Sequence, residues 1–395
     1  MTSKSKTKKQ VANVRIWIAG GGTGGHVYPG LSVVQALAAK GADVAKNSQF
    51  GATAAVAVRN SHILYVGGVG GVEERLAERA GLRFVAVSAG GIHGLALRQV
   101  LQNFVKLTRG WWSAYRLGRR ERPSAMFATG GYASVPVALA AWTLRVPILV
   151  YLPDIEPGLA VRAIARLAAR VAVTVEDSCS YFPARKVVVT GYPVRTEFHG
   201  LDRVQARVAL GLPPDENDPV LLVMGGSTGA RGINQALAGV LEQVLEMAQV
   251  IHVSGELDWP QVQERREALP EALRGRYHAF SYLHEMGTAL AAADLTVCRA
   301  GASTLGELPF FGLPAVLVPY PHAWRYQRVN AEWLVGRGAA VLVDETQLSQ
   351  ELTPTVGRLL SDRTALEEMS ERMQSLARPD AAVQLAGELL ALAIG

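Results

Sequence analysis

The sequence predicts an α/β protein of two Rossmann-like halves, each a parallel sheet wound with helices, facing a common cleft. Two glycine-rich loops carry the prediction, IAGGGTGGHVYPG from Ile18 and LLVMGGSTGARGIN from Leu221, each following an apolar strand-like run. Glycine at such a turn lets the backbone approach a phosphate, and the helix that follows points its positive end at negative charge. The 395-residue length, with 49% hydrophobic and 19% charged residues, suits two well-buried domains.

Seven short apolar runs alternate with helical stretches in the first half: VRIWIAG from Val14, HILYVGG from His62, RFVAVSAG from Arg83, AMFATGG from Ala125, PILVYLP from Pro147, VAVTVED from Val171 and KVVVTGYP from Lys186. Such runs read as strands buried on both faces of a parallel sheet. A second series runs through PVLLVMGG from Pro219, QVIHVSG, RYHAFSY, DLTVCRAG, PAVLVPYP and AAVLVDE. The turn formers of LGLPPDENDP place the boundary between Pro193 and Asp218. The expected divisions are 14–193, 194–372 and a closing helical segment 373–395. Residues 1–13 read as a disordered basic tail, and 42–61, which has no clear period, as an irregular insertion.

Charge is distributed unevenly. Residues 1–193 hold 24 Lys and Arg against 9 Asp and Glu, a net +15, and the remainder hold 16 against 25, a net −9. A basic half suggests an anionic partner, and the absence of a nucleic-acid-binding motif disfavours nucleic acid. Cys179 and Cys298 have no metal-ligand spacing, so neither a disulfide framework nor a metal site is expected. With no apolar run of about 18 residues and no apolar stretch behind the basic start, a cytoplasmic location is expected.

The first loop also satisfies G-x-G-x-x-G at Gly20, Gly22 and Gly25. A dinucleotide reading requires an acidic residue at the end of the second strand, where Gly67 and Gly68 stand instead. No cofactor is therefore expected. His26 follows the loop where a helix should begin, a position from which an imidazole can serve as a base or simply cap the helix.

Six ordered segments, GGTGGHVYPGL, GGYASVPVALAA from Gly130, TGYPVR from Thr190, GGSTGARGIN from Gly225, RAGASTLGEL from Arg299 and QRVNA from Gln327, resemble the bacterial peptidoglycan glycosyltransferases of family 28. The resemblance spans roughly residues 14–390. It implies a GT-B fold and inverting transfer of N-acetylglucosamine from its UDP donor to lipid I, the lipid-linked muramyl-pentapeptide, giving lipid II. The first domain would receive the acceptor and the second the donor.

The same resemblance implies the site. His26 would be the base, with Thr23, Gly24 and Gly25 against the diphosphates or the sugar. Glu307, the second catalytic expectation, would accept hydrogen bonds from the ribose hydroxyls. Arg195 and Ser227 would face uridine and diphosphate, with Leu283, Ala302, Ser303, Thr304, Leu305 and Gly306 around the nucleotide. Gln327 would read sugar hydroxyls, and Tyr132 and Asp154 complete the substrate set. The chain departs from the family pattern at Tyr151 to Asp154, at Tyr192, and at Trp324 and Tyr326, which bears on the sugar and acceptor more than on uridine.

The segment from Leu95 to Pro123 interleaves Trp111, Trp112 and Tyr115 with Arg116, Arg119 and Arg120. Rings and guanidinium groups together suit an anionic inner-leaflet surface, and a crossover helix packed on the sheet explains the same pattern. Peripheral attachment to the cytoplasmic face of the cell membrane and cell-wall synthesis proteins as partners are the corresponding expectations. Three other readings stand beside the main one: a transferase for another lipid or metabolite, a UDP-sugar 2-epimerase of the same architecture, and a membrane-docked subunit without activity.

Overall fold

The computed structural model describes residues 14–21, 24–39, 62–89, 97–213, 218–226, 229–321 and 325–395. The basic tail, the 42–61 insertion, Thr23, Ser227 and Trp324 lie outside the described residues. The chain forms two compact units, one of residues 1–196 with 379–395 and one of residues 197–378.

The first unit runs β1 (Arg15–Gly20), α1 (Gly24–Ala39), β2 (His62–Gly68), α2 (Val72–Arg79), β3 (Arg83–Val87), α3 (Leu97–Glu121), β4 (Ala125–Gly130), α4 (Ser134–Thr143), β5 (Ile148–Leu152), α5 (Leu159–Leu167), β6 (Arg170–Val173) and β7 (Val187–Val189). Its strands lie in the order β3-β2-β1-β4-β5-β6-β7, and every pairing is parallel. All six residues of β4 and all five of β5 are buried, which explains why these strands read as continuous apolar runs without alternation. Strand order reverses between β1 and β4, the place where a doubly wound sheet opens a crevice at its carboxyl edge. The loops leaving these two strands touch there. Gly131 sits at φ +81°, and a Cβ on it would strike the Gly21 carbonyl.

The second unit contains α6 (Arg203–Ala209), β8 (Val220–Met224), α7 (Arg231–Met247), β9 (Gln249–Val253), α8 (Trp259–Glu267), α9 (Glu271–Arg274), β10 (Tyr277–Phe280), α10 (Met286–Ala292), β11 (Leu295–Cys298), α11 (Thr304–Phe311), β12 (Ala315–Leu317), α12 (Tyr326–Val335), β13 (Ala340–Leu342), α13 (Leu348–Ser361) and α14 (Arg363–Ser375). Its parallel sheet has the order β10-β9-β8-β11-β12-β13, so the reversal falls between β8 and β11. Helix α7 covers the sheet with Ile233, Leu237, Leu241, Val244 and Leu245, at the spacing of one helical face. Each such fully buried side chain contributes about 1.5–3 kcal/mol relative to exposure.

The last helix, α15 (Ala381–Ile394), belongs to the first unit. Its Leu385, Ala386, Leu389 and Leu390 are buried, it packs on α1, β4 and β5, and Glu388 pairs with Arg170 at 3.6 Å. The second unit runs to Arg378: α14 continues unbroken to Ser375, its Ser370 hydroxyl donates to Gly312 O at 2.7 Å, and the Leu376 and Ala377 amides donate back to Met373 O and Gln374 O. At the other end Val194, Arg195 and Thr196 group with the first unit, where Thr196 donates to Gln35 on α1 at 3.1 Å.

Candidate functional site

In the first unit the start of α1 and the end of β4 bring His26 and Thr129 together. Gly24 and Gly25 open α1, and His26 follows in its first turn. The imidazole Nδ1 lies 2.9 Å from the Thr129 main-chain carbonyl, and the Thr129 hydroxyl donates to the His26 carbonyl at 2.5 Å. A carbonyl can only accept, so Nδ1 carries the hydrogen and Nε2 is the basic nitrogen. The Ser134 hydroxyl closes the next turn by donating to Gly130 O at 2.5 Å, and Tyr132 in that turn is exposed. Tyr65 anchors the end of β1 by donating to Gly20 O at 2.9 Å, and burial, with the charge of Glu73, raises its pKa far above the ordinary phenol value, so it remains a donor. Glu73 is itself buried beneath the loop and accepts from Gly68 N at 2.9 Å.

The altered segment at β5 has a structural explanation at its first residue. Tyr151 is fully buried, and its hydroxyl lies 2.7 Å from Thr174 Oγ1 and 3.2 Å from Gly191 O. Thr174 in turn donates to the Leu152 and Pro153 carbonyls, at 3.0 and 2.9 Å. Tyr151 therefore ties the ends of β5 and β6 to the TGYP turn and belongs to the core. Tyr192 is buried as well, whereas Asp154 is only partly buried beyond the strand end.

In the second unit Glu307 lies in the first turn of α11, partly buried, after the β11 loop. Burial above all, with the charge of Glu307, pushes the Cys298 thiol up to about 12. Ala302, Thr304 and Leu305 are buried, and Ser303, Gly306 and Leu283 partly so. Within the turn the Thr304 and Leu305 amides already donate to Gly301 O at 3.0 Å and Ala302 O at 3.2 Å, and the Thr304 hydroxyl donates to Gly301 O at 2.6 Å. Gln327 accepts from Tyr320 N at 2.8 Å through Oε1, which directs its NH2 group toward any further partner. Arg299 lies 5.2 Å from the centroid of the Tyr320 ring, donates to Val318 O at 3.2 Å and pairs with Glu345.

Arg195, expected beside the donor, lies in the first unit with its guanidinium 5.1 Å from the centroid of the Tyr28 ring on α1. The TGYPVR motif, Thr190 to Arg195, lies wholly within the first unit, whereas the boundary expected from sequence, after Pro193, divides it. Sequence reading also passed over Thr129, Tyr65, Glu73 and Arg299. Thr129 and Tyr65 are polar residues within apolar strands, Arg299 directly follows one, and Glu73 stands in the first turn of α2, signals that exist but do not name their partners.

Helix α3 is the crossover between β3 and β4, and it presents two different faces. Gly110, Ala114 and Gly118 are buried at four-residue spacing, and a Cβ on Gly118 would meet Leu144 and Trp17. Trp112, Arg116, Arg119 and Arg120 are exposed, while Trp111 is half-buried. Trp112 stacks on Tyr115 with centroids 5.8 Å apart, and the Trp111 indole donates to Thr143 on α4 at 3.4 Å. Leu139 and Trp142 of α4 are exposed as well. Among the described residues no helix is long and apolar enough to cross a membrane.

Two parallel α/β units, each with a glycine loop at the reversal of strand order, are the architecture of GT-B glycosyltransferases. The chain belongs to glycosyltransferase family 28, matching the N-terminal domain of that family over residues 16–173 and the C-terminal domain over residues 220–385. The UDP-N-acetylglucosamine–N-acetylmuramyl-(pentapeptide) pyrophosphoryl-undecaprenol N-acetylglucosamine transferase of Roseiflexus sp. (strain RS-1) is 43% identical over 423 residues, covering 96% of this chain and 95% of the relative. The enzyme of the same name from Moorella thermoacetica is 38% identical, covering 93% and 96%. In fold the chain is similar to the crystal structure of MurG from Acinetobacter baumannii, with a TM-score of 0.71 and 24% identity over 95% of this chain and 99% of that one. A UDP-GlcNAc 2-epimerase from Neisseria meningitidis shares the fold at a TM-score of 0.65 and 13% identity, covering 96% of this chain and 100% of that one.

Proposed function

We propose that this protein transfers N-acetylglucosamine from UDP-N-acetylglucosamine to lipid I, forming lipid II for peptidoglycan synthesis. The observation that carries the reading is 43% identity along 96% of the chain to a transferase of that name. Similarity to the 2-epimerase is confined to fold, at 13% identity.

His26 is the proposed base. Nε2 takes the proton of the attacking acceptor hydroxyl, the oxygen bonds to the anomeric carbon, and the bond from that carbon to the diphosphate breaks to release UDP. The Thr129 carbonyl holds the tautomer that makes Nε2 basic. Glu307 accepts from the ribose, Gln327 donates its amide to the sugar, and the second glycine loop with Ser227 takes the diphosphate, with Leu283 and residues 302–306 around the nucleotide. Arg195 supplies positive charge toward the departing diphosphate. Thr23, Gly24, Gly25, Tyr132 and Asp154 serve the sugar and acceptor.

The acceptor is lipid-borne, so the protein docks peripherally on the cytoplasmic leaflet. The exposed Trp112, Leu139 and Trp142 with Arg116, Arg119 and Arg120 support that reading, since aromatic and cationic side chains suit an anionic interface. Incubation with UDP-N-acetylglucosamine and lipid I in vesicles tests the function, with equal amounts of UDP and disaccharide lipid as the expected result. UDP release without disaccharide lipid, or epimerised donor, would overturn it.

A further inference from the structure

A closed set of polar side chains lies inside the second unit, behind its glycine loop. Asn234 stands on the buried face of α7, one turn inside the helix start, and His252 is buried in β9, after the apolar pair Val250 and Ile251. The Asn234 amide donates to Ser254 O at 2.9 Å and to Asp258 Oδ2 at 2.8 Å. Both partners are acceptors, so the NH2 group faces them and Oδ1 faces His252 Nε2, 3.0 Å away. Nε2 therefore carries the imidazole hydrogen, and Nδ1 accepts from the Tyr277 hydroxyl at 2.6 Å. Burial keeps the ring neutral, with its pKa pushed down to about 4. The amide of Asn234 is thus held from three sides and has one orientation.

That orientation bears on the loop. Gly229 sits at φ +83°, and a Cβ there would strike the Ser254 carbonyl, the same oxygen that Asn234 holds. Gly229 N donates to Gly226 O at 2.9 Å, folding the loop back on itself, and a Cβ on Gly225 would strike Gly229 and Ala230. Asp258 also accepts from Arg231 Nε at 3.1 Å, which ties the first residue of α7 to the same group. Loop, helix start and strand end meet at one carbonyl.

We propose that Asn234 is a positioning residue for the diphosphate end of the donor: fixed by His252 and Asp258, its amide holds the Ser254 carbonyl against which Gly229 turns, and so sets the backbone at Gly229, where the second glycine loop enters α7. The inference rests on the reading that this unit takes a UDP-sugar.

The test uses the full-length protein with UDP followed by calorimetry and uridine by ligand-observed NMR, beside donor KM, kcat and thermal unfolding. Asn234→Ala should weaken UDP about tenfold or more and raise donor KM more than it lowers kcat, while uridine binding moves less than about twofold. His252→Ala should do the same, and His252→Gln, whose amide can donate where Nε2 did, should restore UDP affinity to within about threefold of the parent. Unchanged UDP affinity in Asn234→Ala overturns the inference. So does equal loss of UDP and uridine, or failure of both alanine variants to fold, since the network would then support the unit as a whole. A parent protein that binds no UDP removes the donor reading and this inference with it. A parent that binds UDP no better than its variants overturns the inference alone.

Discussion

His26 and Thr129 clasp each other twice: the His26 Nδ1 hydrogen meets the Thr129 carbonyl at 2.9 Å, and the Thr129 hydroxyl meets the His26 carbonyl at 2.5 Å. A residue at the end of β4 thereby sets both the backbone and the tautomer of the proposed base. His26→Ala should lower turnover by about 10² to 10⁴ with UDP affinity nearly intact. Thr129→Val should lower turnover less and cost about 1–3 kcal/mol of stability, because the His26 carbonyl loses its buried donor. Initial rates and denaturant unfolding check the pair, and a His26→Ala enzyme of parental turnover would move proton transfer elsewhere.

Glu307 is proposed to hold the ribose. Its replacement by alanine should weaken UDP binding by roughly 1.5–3 kcal/mol, the range for hydrogen bonds to a charged group. Calorimetry that finds UDP affinity unchanged would remove Glu307 from the donor site.

Tyr151 is a core residue. Tyr151→Phe removes the hydroxyl that bonds Thr174 Oγ1 and Gly191 O, and should lower stability by about 1–3 kcal/mol while leaving KM for both substrates unchanged. A shifted acceptor KM in a protein of parental stability would instead give Tyr151 a direct part in binding.

His252 makes stability depend on pH. The unfolded imidazole titrates near 6.5, whereas burial holds the folded one down to about 4. Below pH 6.5 the unfolded chain takes up a proton that the native state refuses, so stability is full above that pH and falls as the pH drops toward 4. The loss between pH 7 and pH 5 should be about 2 kcal/mol greater than in His252→Gln, measured by urea unfolding. Equal losses in the two proteins would mean that His252 is protonated in the native state.

Docking on lipid is tested through α3. Each of Arg116, Arg119 and Arg120 should contribute about 1 kcal/mol at an anionic surface, an attraction that salt screens within about 8–10 Å. The triple change to Ser should reduce co-sedimentation with anionic liposomes at low salt and slow reaction with vesicle-borne lipid I, yet spare UDP binding. Undiminished sedimentation would leave α3 as a packed crossover helix and nothing more.

By itself the sequence determined the fold class, all thirteen described strands and the two glycine loops, because strands buried on both faces must be continuous apolar runs and a turn that crowds a carbonyl must be glycine. Six ordered motifs likewise carried the family. Only the tertiary structure decided partners. The order β3-β2-β1-β4 brings Thr129 to His26 across about a hundred residues of chain, and no local pattern encodes that neighbour. The same holds for Asn234, His252 and Asp258, which lie on a helix, a strand and a loop and become one network only when α7 settles on β9. Arg195 joined the first unit, and α15 crossed back to it, because apolar and cation–π contacts are chosen by packing in three dimensions and sequence distance does not constrain them.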